Sequence, residues 1–118
     1  MKRNFLTRTY RGLFRHAEWN IGIVHAPISS FLEPNARPSV SWLPRTKRSK
    51  FLADPFAVVR DGTIYILCEE FDYRANKGRI ASIELKDWRH PSKPRIAIEL
   101  PVHASYPYLF EHQGNIYC

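Results

Sequence analysis

The 118 residues contain only two cysteines, one methionine and five glycines. Two thiols cannot build a disulfide-dense scaffold or a four-cysteine zinc site. No apolar run approaches the roughly 20 residues a membrane-spanning helix needs. No capped amphipathic helical window is present, and nine prolines with 16 aromatic residues argue against a helical bundle. There is no glycine-rich phosphate loop and no nucleophile elbow. Five histidines (16, 25, 90, 103, 112) lack metal-ligand spacing, so no metal and no cofactor is expected. Cys68 and Cys118 read as reduced, buried thiols, which points to a reducing compartment. With neither a secretory signal nor a spanning segment, the expected location is cytoplasmic.

Acids are scarce at one end. Residues 1–50 hold ten Lys/Arg against Glu18 and Glu33, a net +8, while residues 51–118 carry −1. The basic charge lies in an arm, residues 1–18, and in Arg45-Thr-Lys-Arg-Ser-Lys50. Such runs can meet nucleic acid or an acidic membrane, but short charged runs are mostly solvated. No zinc finger, homeodomain or RNA-recognition signature accompanies them. Nucleic-acid binding is therefore the weakest functional reading, and membrane contact through the arm a minor one.

What is present is β texture. Residues 19–25 (Trp19-Asn-Ile-Gly-Ile-Val-His25) read as an opening strand. Residues 26–50 carry four prolines and read as an irregular connection. Phe56–Arg60, Thr63–Cys68, Arg79–Leu85 and Arg95–Leu100 read as four strands, with Asp61-Gly62 as a hairpin turn and residues 69–77 as a polar connection.

The chain repeats itself. Asp54-Pro-Phe-Ala-Val-Val-Arg-Asp-Gly-Thr-Ile-Tyr65 aligns without a gap on Tyr106-Pro-Tyr-Leu-Phe-Glu-His-Gln-Gly-Asn-Ile-Tyr117, 52 residues later. Four strands in a repeat of this size are the signature of a β-propeller blade. One twisted sheet cannot bury both faces, so blades pack around an axis. The expected fold is all-β, a partial propeller of about one and a half blades behind the basic segment. Residues 51–101 form the first blade and 102–118 start the second, together making a 19–118 domain. The missing surface would come from downstream blades or from another copy of the chain.

The first strand of a blade lines the central channel, and Asp54 stands at its entry. Pro55 biases Asp54 towards extended backbone. With a two-residue turn, Val58 faces Tyr65, Phe56 faces Leu67 and Asp54 faces Glu69. Opposed Cβ atoms lie roughly 4.5–5.5 Å apart, too close for two carboxylates to ionise freely. One should hold its proton, as a general acid/base pair requires. Asp54 and Glu69 are thus the catalytic candidates. Glu70 and Asp72 extend the acidic rim and, with Tyr106, are the substrate-binding candidates.

Phe51-Leu-Ala-Asp-Pro-Phe-Ala-Val-Val-Arg-Asp-Gly-Thr-Ile-Tyr-Ile-Leu-Cys-Glu-Glu-Phe-Asp-Tyr73, Asn76-Lys-Gly-Arg-Ile80 and Glu99-Leu-Pro-Val-His-Ala-Ser-Tyr-Pro-Tyr-Leu-Phe-Glu111 resemble the N-terminal domain of glucosamine inositolphosphorylceramide transferases. Trp19–Val24 is similar to that domain's opening strand. The domain is similar in turn to the five-bladed propellers of glycoside hydrolase family 43. The resemblance implies five blades, carbohydrate chemistry and, through the Ala-Asp-Pro motif, a general base at Asp54. It also implies a partner that is a carbohydrate or glycoconjugate. Family 43 usually carries a second Asp after the proline of the next blade, and Tyr108 stands there here. Its general-acid Glu lies in a later blade, and glycosyl transfer in the transferases is attributed to a separate C-terminal domain.

The leading expectation is thus a fragment of a carbohydrate-associated propeller domain from a glycosyltransferase- or glycosidase-like protein, not catalytically complete alone. The alternative is a non-catalytic carbohydrate-binding or interaction module.

Overall fold

The computed structural model describes residues 18–87 and 89–118. The basic arm of residues 1–18 therefore lies, but for Glu18, outside the described residues. Eight strands follow in order: β1 Gly22–Val24, β2 Val40–Trp42, β3 Lys50–Arg60, β4 Thr63–Asp72, β5 Lys77–Leu85, β6 Arg95–Ile98, β7 Phe110–His112 and β8 Asn115–Tyr117. They form three open antiparallel sheets, β1-β2, β3-β4-β5-β6 and β7-β8. One 3-10 turn, Ile28–Leu32, is the only helical element among the described residues. This is an all-β chain with the arrangement of a partial propeller.

The central sheet is larger than the sequence indicates. β4 does not stop at Cys68 but runs on to Asp72, and β5 starts at Lys77. The expected polar connection of residues 69–77 shrinks to a turn at residues 73–76. There Asp72 Oδ1 accepts the Arg74 N–H at 2.9 Å, and Asn76 takes a left-handed φ of 48°. Polar residues can extend the strand because each side chain finds a partner on β3 or β5. The opening strand is shorter than residues 19–25, and the proline-rich connection contains β2, which pairs Gly22 with Trp42. A Cβ on Gly22 would lie 2.6 Å from Val40 Cγ1, so this close crossing requires glycine.

Alternation along β4 gives the sheet two unlike faces. On one face Ile66 lies opposite Ile83 and Cys68 opposite Ala81. These residues join Leu52 in an aliphatic core closed by Ile21 and Leu43 of the N-terminal hairpin. That hairpin is tied across by the Leu43 N–H donating to the Ile21 carbonyl and Asn20 Nδ2 donating to the Leu43 carbonyl. The other face is aromatic. Phe51 stacks on Phe71 with centroids 5.1 Å apart, and Tyr73 meets both edge-on. Further along, Phe56 packs against Tyr106 and Tyr108 of the following repeat.

The two thiols differ in setting. Cys68 is buried in the core and Cys118 is exposed, so the expectation that both are buried holds for one alone. Burial, then the nearby Glu70 and Glu69 carboxylates, push the Cys68 thiol up to about 12.

Candidate functional site

The β3-β4 register follows the two-residue turn only as far as Phe56. Val58 pairs with Tyr65 and Phe56 with Leu67, but the next pair is Ala53 with Glu69. Asp54 and Pro55 together oppose the single residue Cys68, a β-bulge. Asp54 is also not extended: its φ is 49°, in the left-handed region. Proline supplies no N–H for the ladder, and Asp tolerates left-handed backbone better than most residues. The bulge therefore forms at the Asp-Pro step.

Asp54 is not the formal cross-strand partner of Glu69, yet the two carboxyls meet. Glu69 is buried at 6% exposure. Burial first, and then the charge of Asp54 and a carboxyl–carboxyl hydrogen bond with it, raise the Glu69 pKa, while His103 lowers it. His103 Nε2 lies 3.5 Å from Glu69 Oε1. The aromatic rings of Phe71 and Phe56 belong to the same face of the sheet, on either side of Glu69.

Glu70 and Asp72 do not belong to this cluster. Alternation turns them to the opposite face, where Glu70 Oε1 accepts from Lys50 Nζ at 2.7 Å and from Arg79 at 2.9 Å. Asp72 lies 3.9 Å from Lys50 Nζ, and Arg79 also reaches Glu99 at 3.5 Å. The expected continuous acidic rim is therefore two separate groups. One is a carboxyl pair beside a histidine, and the other is an ion-pair network of Glu70, Asp72 and Glu99 with Lys50 and Arg79.

Tyr106 occupies the position in the second repeat that Asp54 holds in the first. It too precedes a proline and is left-handed, with a φ of 56°. For a bulky aromatic residue this backbone is strained, at a cost of order 1–3 kcal/mol. Its ring packs edge-on to Phe56 at 4.9 Å and is 65% exposed. Tyr106 and the carboxyl pair are thus linked through the face that carries Phe56.

His103 and Gly78 were not singled out from the sequence. A Cβ on Gly78 would lie 2.4 Å from Glu69 Oε1 and 2.7 Å from the Ala104 carbonyl oxygen, so only glycine lets these groups converge. Among the described residues, no group of three or more His, Cys, Asp or Glu side chains is arranged to hold a metal ion.

Residues 33–118 match the family described as glucosamine inositolphosphorylceramide transferase 1, N-terminal. The chain belongs to that family. It is also 34% identical over 70 residues to glucosamine inositolphosphorylceramide transferase 1 of Arabidopsis thaliana, a match covering 58% of this chain and 9% of the relative. The chain thus spans about a tenth of that relative's length. No solved structure matches. The family's matched region contains the whole Asp54–Glu69–His103 cluster and both left-handed pre-proline residues. Among the described residues no helix is long and apolar enough to cross a membrane.

Proposed function

We propose that this chain is part of a five-bladed, carbohydrate-handling domain of a glycosyltransferase-type protein. Its Asp54–Glu69 pair faces the sugar, and it is not a complete catalyst alone. The observation that carries this reading is the buried Glu69 carboxyl, held against Asp54 and beside His103 on an aromatic sheet face. Left-handed backbone at Asp54 and Tyr106 supports it, because strained backbone at non-glycine residues concentrates at functional sites. Stacking faces next to carboxyl hydrogen-bonding groups suit the apolar face and the hydroxyls of a pyranose ring. Asp54 is the candidate general base and Glu69 the carboxyl beside it. Tyr106 borders the sugar, while Glu70 and Asp72 serve the fold. The name of the Arabidopsis relative points to glucosamine as the first ligand to test.

The test follows glucosamine and N-acetylglucosamine binding by NMR, using the full-length gene product and its Asp54→Asn and Glu69→Gln variants. The expected result is shift changes at Glu69, His103 and Tyr106 that both variants weaken at least tenfold. Aryl-glycoside cleavage is assayed on the same proteins. Binding that neither variant changes sinks the reading. Binding lost without any cleavage in the parent protein favours the binding module over the hydrolase.

A further inference from the structure

The segment joining the two repeats is clipped onto the start of β5. Lys77 Nζ donates to the Leu100 carbonyl, and the Ala104 N–H donates to the Gly78 carbonyl at 3.0 Å. The Gly78 N–H in turn donates to His103 Nδ1 at 3.0 Å. Both backbone groups of one glycine are therefore spent on two consecutive residues of the connector.

The hydrogen bond at Nδ1 fixes the histidine's chemistry. A nitrogen that accepts from an N–H carries no proton, so the neutral ring keeps its proton on Nε2. That nitrogen faces Glu69 Oε1 at 3.5 Å. Phe71 backs the ring, with centroids 5.9 Å apart. The charged or titratable groups facing Glu69 are Asp54 from β3 and His103 from the connector. Gly78 faces it from β5 with backbone alone.

We propose that His103 is a positioning residue for Glu69. Its imidazole, oriented by the Gly78 N–H, presents Nε2–H to the carboxyl and holds it against Asp54. The connector between the repeats thereby becomes part of the site. This rests on the reading of Asp54–Glu69 as a functional pair, but its test needs no ligand, so a failed sugar titration leaves it standing. It also gives the sequence Gly78-x24-His103 a role that spacing alone does not reveal.

Two substitutions separate the two contacts of the ring. His103→Asn puts an amide oxygen near the place of Nδ1 and keeps an acceptor for Gly78, but offers nothing at Nε2. His103→Gln puts an amide N–H near the place of Nε2 and keeps a donor for Glu69. The full chain is followed by carboxyl 13C titration of Glu69, hydrogen exchange of the Gly78 amide and imidazole 15N shifts.

In the parent protein Nδ1 should read as unprotonated at neutral pH. His103→Asn should move the Glu69 midpoint upward while keeping Gly78 protected. His103→Gln should leave the midpoint near the parent value while Gly78 loses protection. An Nδ1 that carries the proton overturns the proposal. So does a Glu69 midpoint that moves equally in both variants, or in neither. Dispersed amide spectra establish that each variant is folded before its midpoint is read.

Discussion

The first hairpin, β3-β4, and the second, β7-β8, share a backbone plan but differ in setting. Asp54 and Tyr106 are both left-handed before a proline. Both turns place two positive-φ residues in succession, Asp61 and Gly62 at 50° and 73°, Gln113 and Gly114 at 50° and 76°. The pairings also correspond: Val58 with Tyr65 and Phe110 with Tyr117, Arg60 with Thr63 and His112 with Asn115. Yet β3 and β4 run for 11 and 10 residues, and β7 and β8 for three each. Local sequence thus sets the turn and the register of both hairpins. β4 has β5 on its second side and a hydrophobic core on one face. Phe110 and Tyr117 stack on each other at 5.3 Å but are 49% and 46% exposed.

The strongest way to break this comparison is to empty the core of the first hairpin. Leu52 is 1% exposed. Leu52→Ala should cost about 2–5 kcal/mol in urea unfolding. Phe110→Ala in the second hairpin should cost about 1 kcal/mol or less. Equal losses would mean that the second hairpin is as deeply embedded as the first.

The turns should give a smaller and more even effect. A Cβ on Gly62 or on Gly114 would meet nothing within 4 Å, so only the backbone conformation is at stake. Gly62→Ala and Gly114→Ala should each destabilise their own turn by about 1–2 kcal/mol. Hydrogen exchange should show the loss spreading through the central sheet for Gly62 but confined to residues 110–117 for Gly114.

The smallest perturbation is labelling. Cys118 should react with a thiol reagent in the native chain, and Cys68 only after unfolding. Raising the pH to 9 should leave Cys68 unreactive, since its thiol is pushed up to about 12. Prompt native labelling of Cys68 would show that the core face opens readily.

Much of the fold was legible because it is local. The Asp61-Gly62 turn and the strand runs beside it lie within short windows, and the repeat shows as an ungapped match of two 12-residue segments. The pairs Val58 with Tyr65 and Phe56 with Leu67 follow from counting outward from the turn, but the count fails beyond Phe56, where Ala53 and not Asp54 pairs with Glu69. The bulge escaped because a proline in a strand can be read as an extended stop as easily as an extra residue. Residues 69–72 read as a polar connection in sequence, but they continue β4, and alternation along that strand sets Glu70 and Asp72 on the face opposite Glu69. His103 was illegible for a different reason. Its contact with Gly78 spans 25 residues and depends on how the connector folds back.

The Asp54-Pro55 step has a further consequence for solubility. β3 is the outer strand of its four-stranded sheet, where an incoming strand of another molecule could add itself. A left-handed residue followed by a residue without an N–H interrupts that edge in both shape and hydrogen-bonding pattern. A left-handed residue before a proline recurs at Tyr106-Pro107, ahead of β7 and outside any strand. In the first repeat the step thus guards the β3 edge against runaway strand addition, at the residue that also begins the candidate site.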